Sequence, residues 1–215
     1  MFNILIVDDH AVVRRGLKEI ILETVSRDVG FDEAASGREA LQKTSNNNYD
    51  LVLLDISMPG RNGLDTLKAI KAEKPDLPVL VLSMYPEEQF AMRSFKAGAS
   101  GYITKESAPE ELQVAVNKIL HGRKYISSYC SEMLLSELKN KKATSESPHM
   151  ILSNREYHVA CLIASGKSLK EIALELVLSD KTISTYRSRI LNKMNLKTNA
   201  ELINYAIKHN MVNID

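Results

Sequence analysis

Three carboxylates, a hydroxyl and a lysine stand at positions from which they could share one phosphoryl group. Asp8 and Asp9 follow directly on the apolar run 4–7, and Asp55 closes the run 51–54. Ser83 ends the run 79–82, and Lys105 follows a weaker run at 101–104. Oxygen-only ligands suit magnesium. A metal and a lysine can then offset the charge of a phosphoryl group while a carboxylate attacks it. Each residue alone has a blander reading, because an Asp pair after a strand is usually a loop or cap and a single lysine is usually solvated. A second candidate lies near the other end of the chain. Residues 181–197 carry Lys181, Arg187, Arg189, Lys193 and Lys197 and no acid. Such a stripe is what a phosphate-binding face looks like, with a solvated helix face as the competing reading.

These residues need elements to position them. The runs 4–7, 51–54 and 79–82 are continuous Val/Ile/Leu, as in strands covered on both faces, and weaker strand signals fall near 30–34 and 101–104. Between them, helical patterns occupy about 11–25, 38–45, 63–73, 87–97 and 109–121, the last opening on the capping box Ser107-Ala-Pro-Glu110. Five strands alternating with five helices predict a doubly wound parallel sheet with crossover helices. Ligands of such sheets bind beyond the carboxyl ends of the strands, where Asp8, Asp9 and Asp55 would converge.

The rhythm breaks near residue 122. One short helix over 131–139 precedes the polar stretch 140–148, so a linker over 123–150 separates a domain at 1–122 from a second at 151–215. In that second domain Ser153-Asn-Arg-Glu156, Ser168-Leu-Lys-Glu171 and Thr198-Asn-Ala-Glu201 each read as a capping box, and a fourth helix begins near Ser179 or Asp180. The result is an all-α four-helix unit. Helix 168–176, the connection Val177-Leu-Ser-Asp180 and helix 181–194 have the shape of a helix-turn-helix. Ile183, Ile190, Leu191 and Met194 share one side of its second helix, leaving Ser184, Thr185, Arg187, Ser188 and Arg189 outside the stripe.

The elements Asp8-Asp9, Asp55-Ile-Ser-Met-Pro-Gly60, Ser83 and Gly101-Tyr-Ile-Thr-Lys105 resemble the receiver domains of two-component response regulators over about residues 2–122. That resemblance implies a flavodoxin-like fold with Asp55 as the phosphoacceptor. It implies that Asp8, Asp9, Asp55 and the Ser57 backbone carbonyl hold magnesium, and that Lys105 pairs with phosphoryl oxygens. Ser83 and Tyr102 would form the switch pair. Glu106 stands where many receivers carry proline. The segments Leu152-Ser-Asn-Arg-Glu156, Gly166-Lys-Ser-Leu-Lys-Glu-Ile-Ala173 and Lys181-Thr-Ile-Ser-Thr-Tyr-Arg-Ser-Arg-Ile190 resemble the LuxR-type domain of the NarL/FixJ subfamily. By similarity Ser184, Thr185 and Ser188 face base edges, while Lys181, Thr182, Arg187, Arg189 and Lys193 meet phosphates. Which of Arg187 and Arg189 faces the DNA backbone depends on helix rotation and stays open.

The expected protein is a DNA-binding transcriptional regulator with a sensor histidine kinase and promoter DNA as partners, RNA polymerase as a further one, and a homodimer when phosphorylated or DNA-bound. The helix over 198–209 is the dimer candidate by similarity. It is not expected to be an enzyme beyond its own phosphorylation and slow dephosphorylation. An aspartyl-phosphate hydrolase usually carries a second carboxylate two residues after its nucleophile, and here that place is Ser57. No apolar run approaches the roughly 18 residues of a membrane span and no signal peptide is evident, so a cytoplasmic protein is expected. Residues 1–126 hold 16 Lys/Arg and 18 Asp/Glu, against 9 and 6 in residues 149–215, so the positive excess lies with the basic helix. Cys130 and Cys161 lack metal-ligand spacing and read as idle thiols.

Overall fold

A computed structural model describes residues 1–25, 28–58, 63–107, 109–140, 148–209 and 211–212, without the side chains of residues 24, 134 and 136–140. Pro59 and Gly60 of the Asp55 motif, Ala108 before the fifth helix and residues 141–147 of the polar stretch therefore lie outside the described residues. The chain forms two compact units, Met1–Leu134 and Leu135–Asp215.

In the first unit strands β1 (Phe2–Val7), β2 (Val29–Ala34), β3 (Leu51–Asp55), β4 (Val79–Ser83) and β5 (Gly101–Thr104) alternate with helices α1 (Ala11–Thr24), α2 (Gly37–Asn46), α3 (Gly63–Glu73), α4 (Glu87–Lys96) and α5 (Pro109–Leu120). All pairings are parallel, in the order β2-β1-β3-β4-β5. Every residue of β3 and β4 is buried, which is why these strands read as unbroken apolar runs rather than alternating ones. Ile4, Ile6, Leu51, Leu53, Leu80 and Leu82 pack with Leu17 and Ile21 of α1 and Leu112, Val116 and Ile119 of α5. Residues of opposite parity, such as Leu5, Val52, Leu54 and Val81, are equally buried and belong to the other face.

The unit continues past α5. Tyr125 N–H donates to Ser100 O at 2.9 Å, and Tyr125 and Cys130 are 7% and 2% exposed. These contacts place residues 123–134, read from sequence as the start of a linker, inside the first compact unit. Helix α6 (Ser128–Asn140) begins there, three residues earlier than the periodicity suggested.

The second unit holds α7 (Asn154–Ala164), α8 (Leu169–Glu175), α9 (Asp180–Lys193) and α10 (Asn199–Lys208), preceded by a 3-10 turn at Pro148–Ile151 that the sequence did not announce. Ser153 and Ser168 form complete capping boxes with Glu156 and Glu171. At Thr198 the box is only half made. Its hydroxyl accepts from Glu201 N–H at 3.1 Å, but the Glu201 carboxylate accepts from Lys197 N–H at 2.7 Å instead of returning to Thr198. Among the described residues no helix is long and apolar enough to cross a membrane. Both cysteines are free and buried.

Candidate functional site

The strand order reverses direction at β1, which pairs with β2 on one side and β3 on the other. Registration of Val7 with Leu54 brings the ends of β1 and β3 level, so Asp8 and Asp55 emerge side by side at the switch point. Both are buried, Asp8 at 0% and Asp55 at 1% exposure. Helix α3 begins so close behind Asp55 that a Cβ at Gly63 would meet Ile56 Cα at 2.3 Å and Asp55 O at 2.8 Å, leaving room only for glycine.

Lys105 joins the two acids. Its Nζ donates to Asp8 Oδ2 and to Asp55 Oδ2, each at 2.6 Å. Asp55 Oδ1 accepts from Ser57 N–H at 2.7 Å, and Asp8 Oδ1 accepts from His10 N–H at 2.8 Å. Burial pushes the Asp55 carboxyl above its ordinary value, and the Lys105 charge offsets this only in part. Burial would lower Lys105, but the Asp55 and Asp8 carboxylates outweigh it and hold the ammonium above its usual value. One ammonium between two carboxylates leaves the pocket with a residual negative charge.

Asp9 lies at the rim, with its Oδ1 3.1 Å from His10 Nδ1. Asp8, Asp9 and His10 place possible ligand atoms within 4.8 Å of one another. His10 was not singled out from sequence, and its adjacency to the Asp pair was the available signal. The donor set around Asp55 is carboxylate oxygen, and Ser57 Oγ is buried without a hydrogen-bond partner among the described residues. A hard divalent cation such as magnesium suits that chemistry.

Ser83 ends β4, and Tyr102 lies in the neighbouring β5. Ser83 is fully buried, and its Oγ accepts from Tyr85 N–H at 2.9 Å. Tyr102, 1% exposed, donates its hydroxyl to Tyr85 O at 2.7 Å. The backbone of Tyr85 is therefore held at both ends by the two residues paired from sequence.

In the second unit, Ile183, Ile190, Leu191 and Met194 of α9 are buried as expected. Ser184, Thr185, Ser188, Lys181 and Arg189 are exposed. The hydroxyls of Thr185 and Ser188 donate to the carbonyls of Lys181 and Ser184 at 2.9 and 3.1 Å, which leaves their acceptor capacity for a partner. Lys181, Thr182, Thr185 and Arg189 gather with Ser179 and Tyr186 around a shallow hollow of about 330 Å³. Tyr186 escaped the sequence reading, although it lies one turn after Thr182.

Two assigned phosphate contacts do not join this group. Arg187 Nε donates to Asn199 Oδ1 at 2.6 Å, tying α9 to α10. Lys193 Nζ lies 2.7 Å from Glu156 Oε2, tying α9 to the capping box of α7. Burial works to raise Glu156, yet Lys193 and the Ser153 N–H outweigh it and hold the carboxyl below its ordinary range. Of the two arginines, Arg189 is exposed, whereas Arg187 is engaged with Asn199 within the unit.

Comparison with known proteins covers both units. The family model for the response regulator receiver domain matches residues 4–117, and that for bacterial regulatory proteins of the luxR family matches residues 150–206. The chain is 36% identical to the response regulator UvrY of Escherichia coli K12 over 216 residues, covering 100% of this chain and 98% of the relative. It is 38% identical to the oxygen regulatory protein NreC of Staphylococcus epidermidis over 216 residues, covering 98% and 99%. RcsB from Salmonella enterica serovar Typhimurium, solved bound to a promoter in the presence of phosphomimetic BeF3⁻, is similar over 95% of this chain and 97% of that one, with 26% identity and a TM-score of 0.58.

Proposed function

The chain belongs to the response regulators that join a receiver domain to a LuxR-type DNA-binding domain, and from that premise we propose that phosphorylation of Asp55 switches the binding of its second unit to promoter DNA. The observation that carries the proposal is the pair of 2.6 Å contacts from Lys105 to Asp8 and Asp55 at the switch point of the sheet. Two buried carboxylates and an ammonium are in contact there, the groups that an aspartyl phosphoacceptor site needs.

In this reading a sensor histidine kinase supplies the phosphoryl group as phosphohistidine. An Asp55 carboxylate oxygen forms the new bond to phosphorus, the phosphorus–nitrogen bond breaks, and the imidazole keeps the electron pair and takes a proton from solvent. Asp8, Asp9, Asp55 and the Ser57 carbonyl would hold magnesium, which when bound offsets the charge of the phosphoryl group. Lys105 turns from Asp55 Oδ2 to the phosphoryl oxygens, and Ser83 donates its hydroxyl to them. The protein acts on itself only, with slow hydrolysis of the acyl phosphate and no turnover of outside substrates.

The second unit reads DNA through α9. Lys181, Thr182 and Arg189 would position it on phosphates, and Ser184, Thr185 and Ser188, exposed on α9, would meet base edges. Arg187 and Lys193 serve the fold first and phosphates second. The promoter-bound RcsB supports a DNA role, and a homodimer through α10 would match paired half-sites. A cytoplasmic location and contact with RNA polymerase complete the reading.

The test is a gel-shift assay on genomic DNA fragments with and without acetyl phosphate and magnesium, for wild type and Asp55→Asn. Donor-enhanced binding in wild type alone is expected. Equal labelling or equal enhancement in Asp55→Asn would overturn the assignment of Asp55.

A further inference from the structure

A second hydrogen-bond cluster joins α4 to the start of α6. Glu87, the first residue of α4, accepts through Oε2 from Ser127 Oγ at 2.5 Å and from Cys130 Sγ at 3.3 Å. Ser127 Oγ in turn accepts from Cys130 N–H at 3.1 Å, and Ser127 O accepts from Ser131 N–H at 3.0 Å. Ser127 thus caps the first turn of α6 while giving its hydroxyl proton to a carboxylate of α4. Cys130 is 2% exposed, and burial pushes its thiol up to about 12, so it remains a protonated donor at ordinary pH. Just upstream, Tyr125 OH donates to Glu111 Oε1 at 2.6 Å, and its Cβ lies 3.1 Å from where a Cβ at Gly101 would stand. The approach to α6 is therefore seated on β5.

The other end of this cluster leads back to the acid centre. Glu87 stands four residues beyond Ser83. Between them Tyr85 is held by Ser83 Oγ at its N–H and by Tyr102 at its carbonyl, and its ring lies 5.0 Å from that of Phe90 in α4. Pro86, the residue before α4, has a φ of −64° set by its ring. There is little slack between Ser83 and Glu87, so a displacement of the Tyr85 backbone has to be taken up at the first turn of α4.

We propose that Glu87 is an output latch: it holds the start of α6 against α4 while Ser83 and Tyr102 clamp Tyr85, and releases it when a phosphoryl group draws Ser83 away. The proposal rests on Asp55 being the phosphoacceptor. Its structural half, the restraint of α6 by Glu87, does not. Helix α6 runs across the boundary between the two compact units, at Leu134–Leu135, so its first turn belongs to the first unit and its last residues to the second. A charge-assisted bond at that point is strong enough to hold two states apart and weak enough to be exchanged for contacts at the phosphoryl group.

Hydrogen–deuterium exchange read by mass spectrometry on the full chain tests both halves, using wild type, Glu87→Gln, Ser127→Ala and Asp55→Asn, with Glu88→Gln as control. Glu88 adjoins Glu87 but makes no hydrogen bond to α6 among the described residues. Without donor, amides 128–133 should exchange about tenfold faster in Glu87→Gln and Ser127→Ala than in wild type, the factor expected for one hydrogen bond to a charged group, and should be unchanged in Glu88→Gln. Both fast variants should also shift DNA fragments without donor. Acetyl phosphate with magnesium should speed the same amides in wild type and not in Asp55→Asn. Unchanged protection in Glu87→Gln and Ser127→Ala overturns the latch, as does donor-enhanced DNA binding in wild type with amides 128–133 unmoved. If the donor labels no aspartate at all, the phosphorylation reading falls, and the donor-free comparison still decides whether Glu87 restrains α6.

Discussion

Replacing Lys105 with methionine would show how the acid centre is held together. The substitution keeps most of the side-chain volume, and the backbone N–H of residue 105 stays anchored to Ser83 O at 2.7 Å, so the chief loss is one charge. Two carboxylates at 0% and 1% exposure would then face each other without a cation. Each acid oxygen is 2.6 Å from the same nitrogen, so they are at most roughly 5 Å apart, and Coulomb's law at an effective dielectric of about 20 gives a repulsion of about 3 kcal/mol. That lies within the roughly 3–5 kcal/mol typical of breaking a buried pair.

The protein can relieve this by taking up a proton, which moves the titration of the Asp55 carboxyl further upward, in the direction in which burial already pushes it. A carboxyl whose folded pKa lies above its unfolded value gains stability as pH falls through the folded pKa and loses it above. The deficit of Lys105→Met should therefore be largest near about pH 7.5, shrink toward about pH 5, and narrow when magnesium is added. Scanning calorimetry of the full chain at both pH values, with chelator and with magnesium chloride, reads this directly. A deficit of the same size at both pH values, or none at about pH 7.5, would refute the idea that the Lys105 ammonium compensates two buried carboxylates.

Val177, 71% exposed at the turn between α8 and α9, has a φ of 52°. A β-branched residue there costs roughly 1–2 kcal/mol and glycine's added chain entropy takes back about 0.5–1, so for a net gain of about 1 kcal/mol Val177→Gly should raise the melting temperature of the second unit by roughly 4–8 °C, and a fall would show that Val177 makes stabilising contacts. His158 is 4% exposed, and burial pushes its pKa down to about 3. Neutral when folded and charged when unfolded below pH 6.5, it should cost the second unit about 1.4 kcal/mol per pH unit as acid is added between those values, a slope that should flatten in His158→Met. Arg189→Ala should reduce the dependence of log K for DNA on log salt by about 0.9, as one lost phosphate contact does. Arg187→Ala should act mainly on thermal stability, by freeing Asn199, and a salt slope reduced equally in both variants would remove the distinction.

The parts legible from sequence were those whose causes lie within a few residues. Continuous Val/Ile/Leu runs mark β3 and β4 because strands covered on both faces need apolar side chains at every position. Ser153 and Ser168 announce α7 and α8 because each cap is closed by a glutamate three residues on. The same rule stopped short at Thr198, where Lys197 N–H competes for the Glu201 carboxylate. The 3-10 turn at Pro148–Ile151 has no strong local signature, and it packs its His149 ring near Tyr157 and Tyr205 from elsewhere in the unit.

From sequence alone, then, came the alternation of elements, the five residues placed at strand ends and the basic character of α9. Local propensity and the side-chain period determine these, whatever the rest of the chain does. Tertiary structure decided which charges meet. Lys105 spans 97 residues to reach Asp8, Lys193 spans 37 to reach Glu156, and Glu87 spans 40 to hold Ser127. The reach of a side chain is a few ångströms, so such pairings exist only after the sheet and the helices have packed. They separate a lysine seated between two buried carboxylates from one that ties two helices of the second unit together, a distinction that neither residue type nor spacing contains.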